Sequence, residues 1–179
     1  MSTPKIYYSD RDVRRYVHNI IRAMQQDNWR PDYVVGLTRG GLVPANMISQ
    51  YLDVRMECLK VSLRDSDSDS ESNLWMAEDA YGHEIYDPMS GGDGRKKILI
   101  VDDINDTGAT LNWIKKDWQS GCFPDDTQRW DHVWKDNVRF AVLADNQASD
   151  FQAVNYSGTE INKAEEDCWI VFPWENWWE

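Results

Sequence analysis

Lys97-Ile-Leu-Ile-Val-Asp-Asp-Ile-Asn-Asp-Thr-Gly-Ala-Thr110 is the stretch that decides how this chain folds. Ile98 to Val101 is a short, unbroken apolar run, the pattern of a strand buried on both faces. Asp102 and Asp103 leave that run as adjacent carboxylates. Like charges side by side are costly unless something binds them. The vicinal hydroxyls of a sugar, with a divalent cation nearby, are natural partners. Asp106-Thr-Gly-Ala-Thr110 then opens a helix reaching about Gln119, with Leu111, Ile114, Lys115 and Trp118 along one side. Backbone N–H groups at that helix start, with the Thr107 and Thr110 hydroxyls, make a cradle for a phosphate, and the helix dipole favours the anion. Gly108 lets the backbone come close. Asp-Thr-Gly alone is a weak signal. An apolar strand, an acidic pair, two spacers and then this motif is a strong one.

Upstream, Ser9 is placed to cap a helix, with Asp12 three residues on and Val13, Val17, Ile20, Ile21 and Met24 at helical spacing. Tyr33 to Leu37 reads as a second buried strand, ending in the loop Thr38-Arg39-Gly40-Gly41. Leu42 to Leu52 reads as a helix, with Pro44 in its first turn, and Val54 to Leu63 as a strand. Residues 64–95 are Asp/Ser-rich and end at Ser90-Gly-Gly-Asp-Gly94, so a long mobile loop is expected there. Downstream, 122–136 reads as a polar insert, Val138 to Ala144 as a buried strand, and Cys168 to Phe172 as a last strand. Strands alternating with helices predict an α/β fold with a central parallel sheet flanked by helices. In such sheets ligands bind beyond the carboxyl ends of the strands, where the loops 38–41 and 102–110 both fall.

The bulk properties narrow the field. A chain of 179 residues with 41% hydrophobic content suits a single globular domain, 1–179. A net charge of −12 argues against sequence-independent nucleic-acid binding. Three cysteines, Cys58, Cys122 and Cys168, lack the spacing of a disulfide framework or thiolate metal site and fit a reducing compartment. No apolar run is long enough to cross a bilayer, so a soluble, cytoplasmic protein with no membrane partner is expected. His18, His83 and His132 are too scattered for a metal site. The acidic spacing Asp67, Asp69, Glu71 and Glu78 imitates a calcium loop, but Ser72 stands where the turn glycine belongs.

The 97–110 stretch resembles the donor-binding motif of the type I phosphoribosyltransferases. Two further segments agree. Val34-Val-Gly-Leu-Thr-Arg-Gly-Gly-Leu-Val-Pro44 is similar to the pyrophosphate loop of the xanthine-guanine and hypoxanthine enzymes, and Trp169-Ile-Val-Phe-Pro-Trp-Glu175 to the base-stacking segment of the bacterial xanthine-guanine enzyme. The resemblance covers about residues 10–175. It implies the type I fold, with a small hood from the terminal segments, expected here over 150–179. It also implies transfer of a phosphoribosyl group from 5-phosphoribosyl 1-pyrophosphate (PRPP) to a purine base, giving a nucleoside monophosphate and pyrophosphate with Mg²⁺. Family members are dimers or tetramers, so a homo-oligomer is expected.

Carried over residue by residue, Asp102 and Asp103 contact the ribose hydroxyls and the metal. Asp106, Thr107, Gly108, Ala109 and Thr110 hold the 5′-phosphate. Thr38, Arg39, Gly40 and Gly41 hold pyrophosphate, and the Thr38–Arg39 bond matches a site where a cis peptide occurs without proline. Asp106 and Arg39 are the expected catalytic groups: Asp106 as base for the purine proton, Arg39 at the leaving group. Trp169 stacks on the base and the Ile170 backbone reads its edge. A mobile lid falls within 64–95. One departure matters. Where the purine enzymes place a Lys donating to the 6-oxo group, this chain has Asp145, or Asn146 if the register slips by one. A carboxylate there reverses hydrogen-bond polarity and suits an amino group, so an altered base preference is expected. Two rival readings use the same loop: a PRPP-sensing module without catalysis, and a transferase for a non-purine base. An aspartic protease reading of Asp106-Thr-Gly leaves the Arg39 loop without a role.

Overall fold

The computed structural model describes residues 3–61, 74–82 and 92–178. The centre is a parallel sheet of five strands in the order β3-β2-β4-β5-β6: β2 (Tyr33–Thr38), β3 (Arg55–Lys60), β4 (Ile98–Asn105), β5 (Val138–Asn146) and β6 (Tyr156–Ile161). Alternation along the strands divides the core into two layers. Ile98 and Ile100 face one side of β4, Leu99 and Val101 the other. Helices α1 (Asp10–Gln26) and α2 (Leu42–Leu52) cover the Leu99 side, and α3 (Leu74–Tyr81), α4 (Ala109–Gly121) and α5 (Thr127–Lys135) the Ile98 side. With both faces covered, near-continuous apolar strands are what the sheet requires.

The cap of α1 forms as its sequence implies. Ser9 Oγ accepts from Asp12 N at 3.2 Å, and Asp12 Oδ2 accepts from Ser9 N at 2.9 Å. Strand β4 runs further than its apolar run. Asp102 pairs in register with Val142 and Asn105 with Asp145, so the acidic pair sits within the strand end rather than past it.

Three expectations change. The stretch 64–95, expected to be one long loop, contains helix α3, whose Met76, Ala77, Ala80 and Tyr81 are buried. Of the expected lid, 64–73 and 83–91 lie outside the described residues, as does the calcium-like spacing apart from Glu78. The expected polar insert 122–136 holds α5, which buries Trp130 and Val133. Trp130 Nε1 donates to Cys122 O at 2.8 Å, which satisfies the indole inside the core. Finally, the hood is smaller than 150–179: residues 156–161 are β6, an edge strand of the main sheet. The hood itself is a parallel pair, β1 (Lys5–Tyr7) with β7 (Trp169–Val171). Among the described residues, no helix is long and apolar enough to cross a membrane.

Candidate active site

The carboxyl ends of β2 and β4, together with the hood, enclose a cavity of about 1040 Å³. Its floor is the acidic pair. Asp103 N donates to Asp102 Oδ1 and Ile104 N to Asp103 Oδ1, each at 2.9 Å. Neither carboxylate has a cationic side chain within ion-pair distance among the described residues. Burial, and after it the charge of Asp103, hold the Asp102 carboxyl well above the ordinary carboxylate range. Burial also raises Asp103, with the charge of Glu175 adding to it. An acidic pair held this way has excess acceptor capacity, and it gains from hydroxyl donors or a cation.

The phosphate cradle stands beside it. Gly108 has φ 88° and caps α4 in the left-handed region. A Cβ at this position would lie 2.5 Å from Phe151 N, so glycine is required by space as well as by φ. Ala109 N donates only to Thr107 Oγ1, at 3.3 Å, while the N–H groups of Gly108, Thr110 and Leu111 have no acceptor among the described residues. These are the free donors of a helix start, aimed where an anion is favoured. The segment after β5 braces the cradle from behind: Asp150 N donates to Thr107 O at 3.0 Å, and Asn146 Nδ2 to Asp106 O at 2.8 Å.

The third wall is the β2–α2 loop. The Thr38–Arg39 peptide is cis, Arg39 is exposed, and Gly41 N donates to Leu37 O at 2.9 Å. Gly40 lies against the acidic pair, because a Cβ built there would be 1.8 Å from Asp103 Oδ2. The clash is with the end of a side chain. Gly40→Ala is therefore expected to fold while displacing the Asp103 carboxylate, with PRPP affinity falling about 10- to 100-fold. Calorimetric titration checks this, and unchanged affinity would remove Asp103 from the binding set.

Of the expected base-binding residues, Trp169, 49% exposed, and Ile170, buried, both line the cavity from β7. Asp145 does not line it. Its Oδ1 accepts from Asn105 Nδ2 at 2.8 Å, within a network that includes Ser149 Oγ to Asn105 Oδ1 at 2.9 Å. Asn146 is buried and bonded to backbone. The cavity also receives a residue the sequence reading passed over. Lys163, after β6, places Nζ 2.8 Å from Asp106 Oδ1. In sequence it sits in Asn162-Lys-Ala-Glu-Glu-Asp167, which carries the signature of a solvated charged loop.

A divalent cation fits this arrangement in one way. No cluster of three or more acidic, His or Cys side chains that could hold a metal exists among the described residues. Asp102 and Asp103 supply one or two carboxylates, the usual protein share of a Mg²⁺ site completed by substrate phosphates and water.

The family model for the phosphoribosyl transferase domain matches residues 5–175. The chain is 30% identical to a xanthine-guanine phosphoribosyltransferase of Cereibacter sphaeroides over 148 residues, covering 82% of this chain and 70% of that protein. It is 29% identical over 153 residues to the protein of the same name from Roseobacter denitrificans, covering 82% and 69%. Its fold matches a solved purine phosphoribosyltransferase from Pyrococcus horikoshii with a TM-score of 0.63 at 21% identity, covering 96% of this chain and 95% of that one. The sheet order, the strand-end cavity and the family match agree: the chain belongs to the phosphoribosyl transferase domain family.

Proposed function

We propose that this enzyme transfers the phosphoribosyl group of PRPP to a purine base and releases pyrophosphate. One observation carries the reading. A single cavity gathers an unpaired acidic pair, a helix-start phosphate cradle, the Arg39 loop and the Trp169 face. Those four elements match the ribose, 5′-phosphate, leaving group and base of one transfer reaction.

The chemistry follows from the groups. Cleavage at the anomeric carbon builds positive charge on the sugar and negative charge on the departing pyrophosphate. Arg39 and the Gly40 N–H supply positive charge and a hydrogen bond at the leaving group. Asp102 and Asp103 orient the ribose through its hydroxyls and hold their negative charge below the developing cation. Asp102 and Asp103 would also hold Mg²⁺, which would supply further neutralisation of the leaving group. As the base nitrogen attacks, a ring proton becomes acidic. Asp106 Oδ1 is occupied by Lys163, and Oδ2 has no partner among the described residues, so it is the free acceptor for that proton.

The direct test is pyrophosphate release from Mg·PRPP with guanine, xanthine, hypoxanthine, adenine, uracil and orotate. Release with a purine is expected. PRPP binding without release for any base would favour a sensing module instead. Arg39→Ala is expected to weaken pyrophosphate binding about 10- to 100-fold and to leave nucleoside monophosphate binding much less changed. Competition titrations with the two ligands check this, and equal losses would take Arg39 away from the leaving group.

A further inference from the structure

The structure assigns the two buried asparagines Asn105 and Asn146, the last residues of β4 and β5, as positioning residues that aim the Thr107 and Gly108 N–H groups at the 5′-phosphate of PRPP. The inference rests on the donor half of the reading above. In a trans peptide the C=O and the following N–H point in opposite directions. Whatever holds the carbonyl from behind therefore fixes the N–H in front. Both peptides concerned are trans. Asn146 Nδ2 donates to Asp106 O at 2.8 Å, which sets the direction of the Thr107 N–H. Asp150 N donates to Thr107 O at 3.0 Å, which sets that of the Gly108 N–H. Neither N–H has an acceptor among the described residues. The cradle residues 106–111 line the cavity and none of 145–151 does, so the holding groups stand on the far side from the ligand.

Asn105 fixes the turn that carries Asp150. Its Nδ2 donates to Phe151 O at 2.9 Å and to Asp145 Oδ1 at 2.8 Å, and its Oδ1 accepts from Ser149 Oγ at 2.9 Å. An ionised carboxylate only accepts, so Asp145 decides which end of the amide faces Ser149. Ser149 Oγ in turn accepts from Phe151 N at 3.1 Å. Residue 150 is thus tied on both sides. The fit to the cradle is close, since a Cβ on Gly108 would also lie 2.7 Å from Ser149 Oγ. The buried polar residues among the described ones are Ser49, Asn105, Asn137, Asn146 and Ser149, and three of them meet in this brace. A buried network with its bonds satisfied makes the groups it touches rigid, which is what a preorganised phosphate grip needs. Asp145 has its role here, outside the cavity. The expected preference for an amino group on the base therefore loses its physical basis.

The test compares wild type, Asn105→Ala, Asn146→Ala and Ser149→Ala in the full chain. Affinities for Mg·PRPP, ribose 5-phosphate and Mg·pyrophosphate are measured by calorimetry, beside thermal melts. The first two ligands share the 5′-phosphate. Pyrophosphate meets the Arg39 loop instead, so its binding reports that a variant is folded. Each asparagine variant is expected to lose about 10- to 100-fold for PRPP and for ribose 5-phosphate, the worth of hydrogen bonds to a charged group, and to keep its affinity for pyrophosphate. Ser149→Ala removes a single hydroxyl from the brace and should show the same selective loss to a smaller degree. It carries the test where an asparagine variant fails to fold. An equal loss for all three ligands would make the brace merely structural and overturn the inference. Undiminished binding of PRPP and ribose 5-phosphate overturns it as well, while the transferase reading stands. A wild type that binds neither of those two ligands would bring down the donor reading and this inference together.

Discussion

Asp106→Asn is expected to lower turnover about 100- to 10,000-fold while PRPP binding is retained, the loss that follows removal of a positioned general base. The substitution is nearly isosteric, and its amide oxygen can still accept from Lys163, so the 2.8 Å contact and the cradle backbone should survive. What disappears is the free carboxylate oxygen that takes the ring proton. Steady-state rates with a purine, beside calorimetric titration of Mg·PRPP, separate the two effects. A parallel loss of PRPP affinity would recast Asp106 as part of the phosphate grip. Undiminished turnover would mean that the proton leaves directly to solvent.

The second large effect runs in opposite directions for stability and for binding. The double substitution Asp102→Asn, Asp103→Asn is expected to stabilise the ligand-free fold on the order of 1 kcal/mol at neutral pH, a rise in Tm of about 2–4 °C. Both carboxyls are raised above their unfolded values, Asp102 well above. The folded chain therefore binds more protons than the unfolded chain between the ordinary carboxylate range and the raised values. The stabilisation from that proton uptake is fully present below the unfolded pKa and is lost as pH rises through the folded one. Above the raised values the wild-type fold bears the repulsion of two adjacent, poorly solvated anions. Asparagine removes the charge and keeps the acceptors for Asp103 N and Ile104 N. The same variant is expected to lose at least about 100-fold in Mg·PRPP affinity, since two charge-assisted contacts vanish. Thermal melts across pH 4 to about 8 and calorimetry check both halves. The stability gain should shrink toward low pH, where the wild-type pair is protonated. A destabilised variant would show that the pair is comfortable in the ligand-free fold.

The β4–α4 unit was legible because each local signal agreed with the next: an apolar run for a strand buried on both faces, carboxylates at its end, then glycine at a left-handed cap. The strands β2 and β5 were legible for the same reason. Four elements were not, the three-residue strand β1 among them. Strand β6, Tyr156-Ser-Gly-Thr-Glu-Ile161, is the sheet's outer strand with three polar positions, and its Gly158 packs beneath Tyr16, where a Cβ would lie 2.3 Å from the tyrosine Cβ. That packing partner is remote in sequence, so nothing local marks the strand. Helix α5 is nine residues long and buries two side chains, too few for a periodicity to emerge from its polar surroundings. Helix α3 is masked by the acidic composition on its N-terminal side. In the site, motif-bearing loops were readable, because phosphate and ribose chemistry impose residue types at fixed offsets. Lys163 was not, because its role depends on where β6 ends, and β6 itself had no local signature.

The ladder between β1 and β7 joins the two ends of the chain, with Ile6 opposite Ile170 and Trp169 N donating to Pro4 O at 2.8 Å. Its closure requires nearly the whole polypeptide to be in place, whereas β2, β4 and the helices after them are built from neighbouring segments. Long-range pairings pay their loop-closure entropy last, so the sugar-phosphate half of the cavity assembles from local units and the base-stacking half is finished when the termini meet. The two half-sites differ in the same way once folded: the two-stranded hood, whose β1 is exposed throughout, opens at less cost than the central sheet with its buried strands. On the proposed assignment, the sugar donor would be received by the central sheet and the acceptor by the more yielding hood.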